Sequence, residues 1–228
     1  AGAARGGGDH HLMDQPALNR LAARGFARAA ARVGAACAQY RPTGAMQPMG
    51  VAHAQLVAAF SSDRAFGFAG PALWDAPFVY ALLDTTDVQA GDILTSAGQT
   101  CFVARCEPFR PPLCVLCNAT VTLAATPAPA AALANPGGYA TSGDASAQAT
   151  VASGWPALIR LGAGATVPGP GQPGAIHGGG MEMFMPAIPG VTLQPAMWVS
   201  DAGGARYTIG SARASPWGTR CLLGQQQA

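Results

Sequence analysis

The chain has 228 residues, a net charge of +2, and half its residues apolar, which is length for one large or two small domains with a real core. Its charged fraction is 11%, against an average of about a quarter, and every basic residue is Arg. So small a net charge gives no ground for nucleic-acid binding, and no apolar run is long enough to span a bilayer. No apolar segment with a cleavage site follows the start, so a secretory signal is not expected.

In chain order, residues 1–11 are Gly/Ala-rich and close on Asp9-His10-His11, with no pattern for packing. Asp14 is suited to cap a helix and Pro16 to sit in its first turn, and the periodicity predicts a helix from Ala17 to Gln39. Leu18, Leu21, Ala22, Gly25, Ala29, Val33, Ala36 and Tyr40 share its apolar face. Arg20, Arg24, Arg28 and Arg32 follow one another at i, i+4 spacing with no acid among them. Each such like-charge pair costs an isolated helix about 0.2–0.5 kcal/mol. Two readings follow: a solvated face, or a docking stripe for an acidic partner surface. Tyr40-Arg41-Pro42-Thr43-Gly44 ends the helix.

Met46–Phe60 is ambiguous between extended and helical, and Arg64–Pro77, with Phe66, Phe68 and Trp74, reads as a packed loop. Phe78–Leu83 is a strand, and Gly91-Asp92 opens a hairpin: Ile93-Leu94-Thr95-Ser96-Ala97-Gly98, then Thr100-Cys101-Phe102-Val103. The prolines of Glu107–Pro112 keep that segment out of a ladder, and Leu113–Leu123 is a further strand. Ala124–Gly154 is almost uncharged and reads as a linker, and Gly162–Gly180 as a second irregular segment. Trp155–Leu161, Met181–Met185, Val191–Leu193, Met197–Ser200, Ala205–Ser211 and Thr219–Leu223 supply a second set of short strands.

Within that second set the hairpin recurs: Trp198-Val199-Ser200-Asp201-Ala202-Gly203, then Ala205-Arg206-Tyr207-Thr208. The copies superimpose without a gap, placing Phe102 on Tyr207 and Gly98 on Gly203, each glycine free to take φ > 0 in the turn. The expected architecture is therefore mainly β with an N-terminal helix, and two small β-barrel or sandwich modules of like hairpin pattern. Its parts are an arm and helix over 1–60, a first β module over 61–125, a linker or extended loop over 126–150, and a second β module over 151–228.

The chemistry is sparse. Cys114 and Cys117 form C-x-x-C with Cys101 and Cys106 upstream, but the intervening residues are strand residues, so the two face opposite sides of a sheet. Buried free thiols are expected, with no metal; a disulfide stays open if the protein matures outside a reducing compartment. Of His10, His11, His53 and His177, none has metal-ligand spacing except His10-His11 beside Asp9, an incidental cluster in a stretch without a packing pattern, and no nucleophile elbow, Walker A or dinucleotide fingerprint occurs. Asp63, Asp75, Asp84, Asp87, Asp92 and Asp201 sit where turns form. A duplicated β unit without a catalytic motif points to a scaffold rather than an enzyme, with no cofactor.

Trp155-Pro156-Ala157, Met185-Pro186-Ala187-Ile188-Pro189-Gly190-Val191, the stretch Asp201–Tyr207 and Trp217-Gly218 resemble a group of virion proteins of tailed phages and prophages. Gly91-Asp92-Ile93-Leu94 through Cys117-Asn118, and the helix leading into Tyr40-Arg41-Pro42, are similar to its first half. The Gly-Asp turns also resemble those of head-completion and stopper proteins of the phage neck, although the second copy here has Ala196-Met197 instead. The resemblance implies a virion structural protein of the neck or tail: a ring or adaptor subunit joining head and tail, or anchoring tail parts. It implies a homo-oligomeric ring assembled in the bacterial host cytoplasm. Its partners would be other virion proteins (portal, adaptor, tail or fibre subunits), with no membrane; nucleic-acid contact is left open. Arg20, Arg24, Arg28 and Arg32 are the expected partner interface. The alternative reading is an extracellular or surface β-sandwich binding module.

Overall fold

The computed structural model describes residues 14–63, 77–125, 148–162 and 180–225. Helix α1 (Gln15–Val33) precedes twelve strands: β1 (Ala35–Tyr40), β2 (Ala54–Ser61), β3 (Phe78–Leu83), β4 (Ile93–Ser96), β5 (Gln99–Arg105), β6 (Leu113–Cys117), β7 (Ala119–Ala125), β8 (Ala149–Leu161), β9 (Met181–Met185), β10 (Trp198–Asp201), β11 (Arg206–Ser215) and β12 (Gly218–Gln225). They close into two antiparallel barrels, in the ring orders β1-β2-β3-β6-β5-β4 and β7-β8-β9-β12-β11-β10. Counted from its own first strand, each barrel has the same order, so the whole module is repeated and not the hairpin alone. The expected mainly β architecture with two small barrels is what the chain forms.

The boundaries lie elsewhere. The helix stops at Val33, and Ala35–Tyr40 pairs with both β2 and β4 as the first barrel strand. Gly34 is the reason: its chain runs so close to β2 that a Cβ would lie 2.5 Å from Ala30 O and 2.8 Å from Ala58 O. No side chain fits there, and the backbone turns extended. Thus β1 and β2 belong to the first barrel rather than to a preceding arm. The strand expected over Leu113–Leu123 divides at Asn118, leaving β6 in the first barrel and β7 in the second. Val191–Leu193 is not a strand, and the ambiguous stretch before Phe60 resolves as β2. The loop expectation for Arg64–Pro77 falls outside the described residues up to position 76, and the two long irregular segments fall outside them over 126–147 and 163–179.

The gapless hairpin match also needs correction. In the first copy Ser96 pairs with Gln99 across the two-residue turn Ala97-Gly98, both at positive φ (49° and 79°). The second copy has a three-residue loop, Ala202-Gly203-Gly204, in which Gly204 and not Gly203 takes positive φ (86°). Asp201 closes it, its backbone N–H donating to Ala205 O at 3.0 Å and its Oδ1 accepting from Ala205 N at 2.8 Å. One extra residue inverts the side-chain phase of the following strand. Leu94 therefore pairs with Cys101, and Val199 with Tyr207. Tyr207 points into its barrel, whereas Phe102 points out of its own and packs with the second barrel's core. The structural counterpart of Tyr207 is Cys101.

Two cores result. Leu56, Val79, Leu83, Leu94, Val103 and three cysteines fill the first barrel. Trp155, Val121, Leu123, Met183, Met185 and Ile209 fill the second, joined by Ile93, Phe102 and Val115 from the first barrel's outer wall. The barrels are therefore packed against each other across an apolar seam. Asn118, the single residue between β6 and β7, is tied to β8 three times. Its Nδ2 donates to Ile159 O (2.7 Å), its Oδ1 accepts from Ile159 N (2.8 Å), and its N–H donates to Ala157 O (3.1 Å). The loop after β1 adds a clamp, with Trp155 Nε1 donating to Ala45 O at 2.6 Å and Gln47 N donating to Ser153 O at 3.1 Å.

Candidate interaction surface

The Ala-rich helix lies on β2 and β3 of the first barrel. Its covered side carries Ala22, Ala23, Phe26 and the fully buried Ala30, with Asn19 beside them. Small side chains allow that close approach. The apolar face expected from the sequence is thus rotated: Leu21 is 60% and Val33 71% exposed, and Leu18 and Gly25 are open as well. Arg20, Arg24, Arg28 and Arg32 are all exposed and make no ion pair with any described residue. The outward face of α1 is therefore both basic and apolar, with Leu21 set among guanidiniums.

A second polar cluster escaped the sequence reading, which took its acids as turn residues. Asp92, 1% exposed, accepts from Arg41 Nε (2.9 Å) on Oδ1, and from Arg41 Nη2 (2.9 Å) and Gln39 Nε2 (2.7 Å) on Oδ2. Arg41 reaches on to Asp87 Oδ1 at 3.0 Å, whose Oδ2 lies 2.8 Å from His53 Nε2. The contact to His53, followed by that to Arg41, holds the Asp87 carboxyl below its ordinary pKa. The Asp92 hydrogen bonds raise the pKa of Arg41. Such a network clasps one end of a barrel: β1, the loop after it, and the β3–β4 connection are held by charge-assisted bonds. The second barrel has apolar residues there. Strand register places Leu123 opposite Val199 as Gln39 is opposite Leu94, and Met197 stands where Asp92 does.

The cysteines are free, and Cys37, Cys101, Cys114 and Cys221 are buried. Burial pushes the Cys37 thiol up to about 12 and that of Cys221 to about 11. Cys114 faces the first barrel's interior while Cys117 packs toward the second barrel, so C-x-x-C does not converge. Among the described residues no three His, Cys, Asp or Glu side chains gather to hold a metal. His10, His11 and His177 lie outside the described residues. No described helix is long and apolar enough to cross a membrane. Comparison with protein-family models, with curated proteins and with solved structures gives no match.

Proposed function

We propose that this chain is a structural subunit of a tailed-phage virion, a neck or tail ring or adaptor component that joins head and tail or anchors tail parts. The observation that supports a structural role best is the pair of like-ordered barrels joined through one tied residue, which makes a stiff two-part body with an open basic helix on its outside. The particle itself comes from the sequence resemblance. In this reading α1 is the docking element: Arg20, Arg24, Arg28 and Arg32 meet an acidic neighbour, and Leu21 supplies apolar contact between them. The neighbour's carboxylates offset the repulsion along the stripe and fix its orientation. Copies of the chain close into a ring, since head-to-tail contacts of one kind generate rings when the rotation closes.

The test is assembly. The chain is produced with the remaining particle proteins, and its presence in purified particles is compared with that of an Arg24→Glu/Arg28→Glu variant. The variant is expected to stay folded, by circular dichroism, yet to be missing from particles. Normal incorporation of the variant overturns the docking role of α1. Absence of the unmodified chain from purified particles overturns the virion reading.

A further inference from the structure

Between the barrels lies a groove of about 540 Å³ whose walls carry Phe78, Phe184 and Trp217, with Arg105, Arg213 and Arg220 at its rim. Phe78 and Phe184 meet edge to face at 6.4 Å, so the two barrels share its floor. Trp217, at the tip of the β11–β12 hairpin, is 54% exposed, held by the guanidinium of Arg105 at 5.0 Å from its ring centroid.

The charge around this groove is unbalanced. Glu107 is shared by Arg105 and Arg110, and Glu182 by Arg160 and Arg220. Each carboxylate thus faces two guanidiniums, and Arg213 makes no ion pair with a described residue. The lining of the groove carries the three guanidiniums of Arg105, Arg213 and Arg220 and no carboxylate, around an apolar floor. Arg213 stands directly across the ladder from Arg220, a like-charge pair that is unfavourable in an antiparallel hairpin. The repulsion between the two guanidiniums would be relieved by an anion bridging them.

We propose that the groove seats an acidic polypeptide segment of a partner protein. One aromatic or branched aliphatic side chain enters between Phe78, Phe184 and Trp217, while flanking carboxylates bridge Arg213 to Arg220 and reach Arg105. Guanidinium forks match carboxylates in two-point geometry, and the cavity has the size of a site for a few side chains. The backbone beside the groove adds a further handle: on its β10 side β11 is bonded from Arg206 to Ile209, and among the described residues its edge from Gly210 to Ser215 carries no second strand. An extended segment could lie along that edge. The proposal does not depend on which particle or assembly contains the chain.

The experiment is selection of a random decapeptide library on the intact chain, after which the affinity of the selected peptides is measured for the intact chain, for Arg213→Glu and for Trp217→Ser. Arg213→Glu replaces a repulsive cross-strand pair by an attractive one, so its fold is expected to be at least as stable. Expected are peptides with Asp or Glu flanking an aromatic or aliphatic residue, bound about tenfold or more weakly by either variant. Peptides without acidic enrichment, or binding equal in the variants, overturn the proposal. So does displacement of the selected peptides by a short thymidine oligonucleotide whose own binding needs Trp217, which would assign the groove to single-stranded nucleic acid.

Discussion

The Oδ2 of Asp92 accepts the backbone N–H of Gln89 at 3.0 Å, and the Sδ of Met197 accepts that of Gln194 at 3.1 Å, so a carboxylate and a thioether perform one task at one position of the repeated barrel. The surrounding backbone agrees. Gly91 N donates to Val103 O and Val103 N to Asp92 O, while Ala196 N donates to Ile209 O and Ile209 N to Met197 O, all at 2.8 Å. The barrels solve the same turn with a charged network in one case and an apolar contact in the other.

Replacing Asp92 alone by Met is expected to destabilise the chain by about 3 kcal/mol, because Arg41 and the buried Gln39 lose their shared acceptor. Arg41 keeps Asp87, which holds the cost to about that figure rather than more. The triple variant Gln39→Leu/Arg41→Ala/Asp92→Met, which copies the second barrel's Leu123, Ala125 and Met197, should recover most of the loss, to within about 1 kcal/mol. Urea midpoints of the single and triple variants check both statements.

Asp87 makes the clasp sensitive to acid. Its folded pKa is below its unfolded value, so its contribution is fully present above the ordinary carboxylate pKa of 3.8 and is lost as pH falls through the lower, folded value. Asp87→Asn should therefore lower the melting temperature at pH 6, with the difference from the unmodified chain disappearing in strong acid. A difference that stays constant down to the acid limit would rule out this linkage.

Two alanines sit where glycine or asparagine is easier. Ala97 (φ 49°) lies in a two-residue hairpin turn and Ala196 (φ 69°) takes the place of Gly91 (φ 93°). Ala97→Asn and Ala196→Gly are each expected to stabilise by about 0.5–1 kcal/mol through relief of left-handed strain. Thermal melts of the single variants and of their combination would test additivity, since the two positions lie in separate barrels.

Thiol reactivity should divide by burial. Cys106 is the exposed cysteine, its thiol still pushed up by desolvation, so it should label first and faster at alkaline pH. Cys37, Cys101, Cys114 and Cys221 should react only on unfolding. Mass spectrometry after brief alkylation, with and without denaturant, reads the order; early labelling of Cys37 would contradict the closed first barrel.

What could be read in advance was what repeats locally. The hairpin around Ile93–Val103 and Trp198–Thr208 was visible because turn glycines and alternating apolar residues carry it. Its phase was not, since one additional glycine in Ala202–Gly204 inverts which side faces inward while leaving the composition alike. The helix end was hidden for a different reason: Gly34 stops α1 by crowding against β2, a contact distant in sequence. The division at Asn118 was invisible because Leu113–Leu123 reads as one strand-forming stretch, and only barrel closure separates β6 from β7. The clasp at Asp92 was missed because Gln39, Arg41, Asp87 and Asp92 are brought together by β1–β4 pairing. The arginine stripe was legible in its spacing, but the orientation of α1 depended on which side had the smaller residues.

Asn118 gives the molecule its mechanical character. A single residue, bound by side chain and backbone to β8, leaves no slack between the barrels, and the seam around Phe102 and Val115 resists sliding. Asn118→Gly would remove both bonds to Ile159 made by the side chain, leaving the barrels joined by the seam and by the Trp155–Ala45 and Gln47–Ser153 bonds alone.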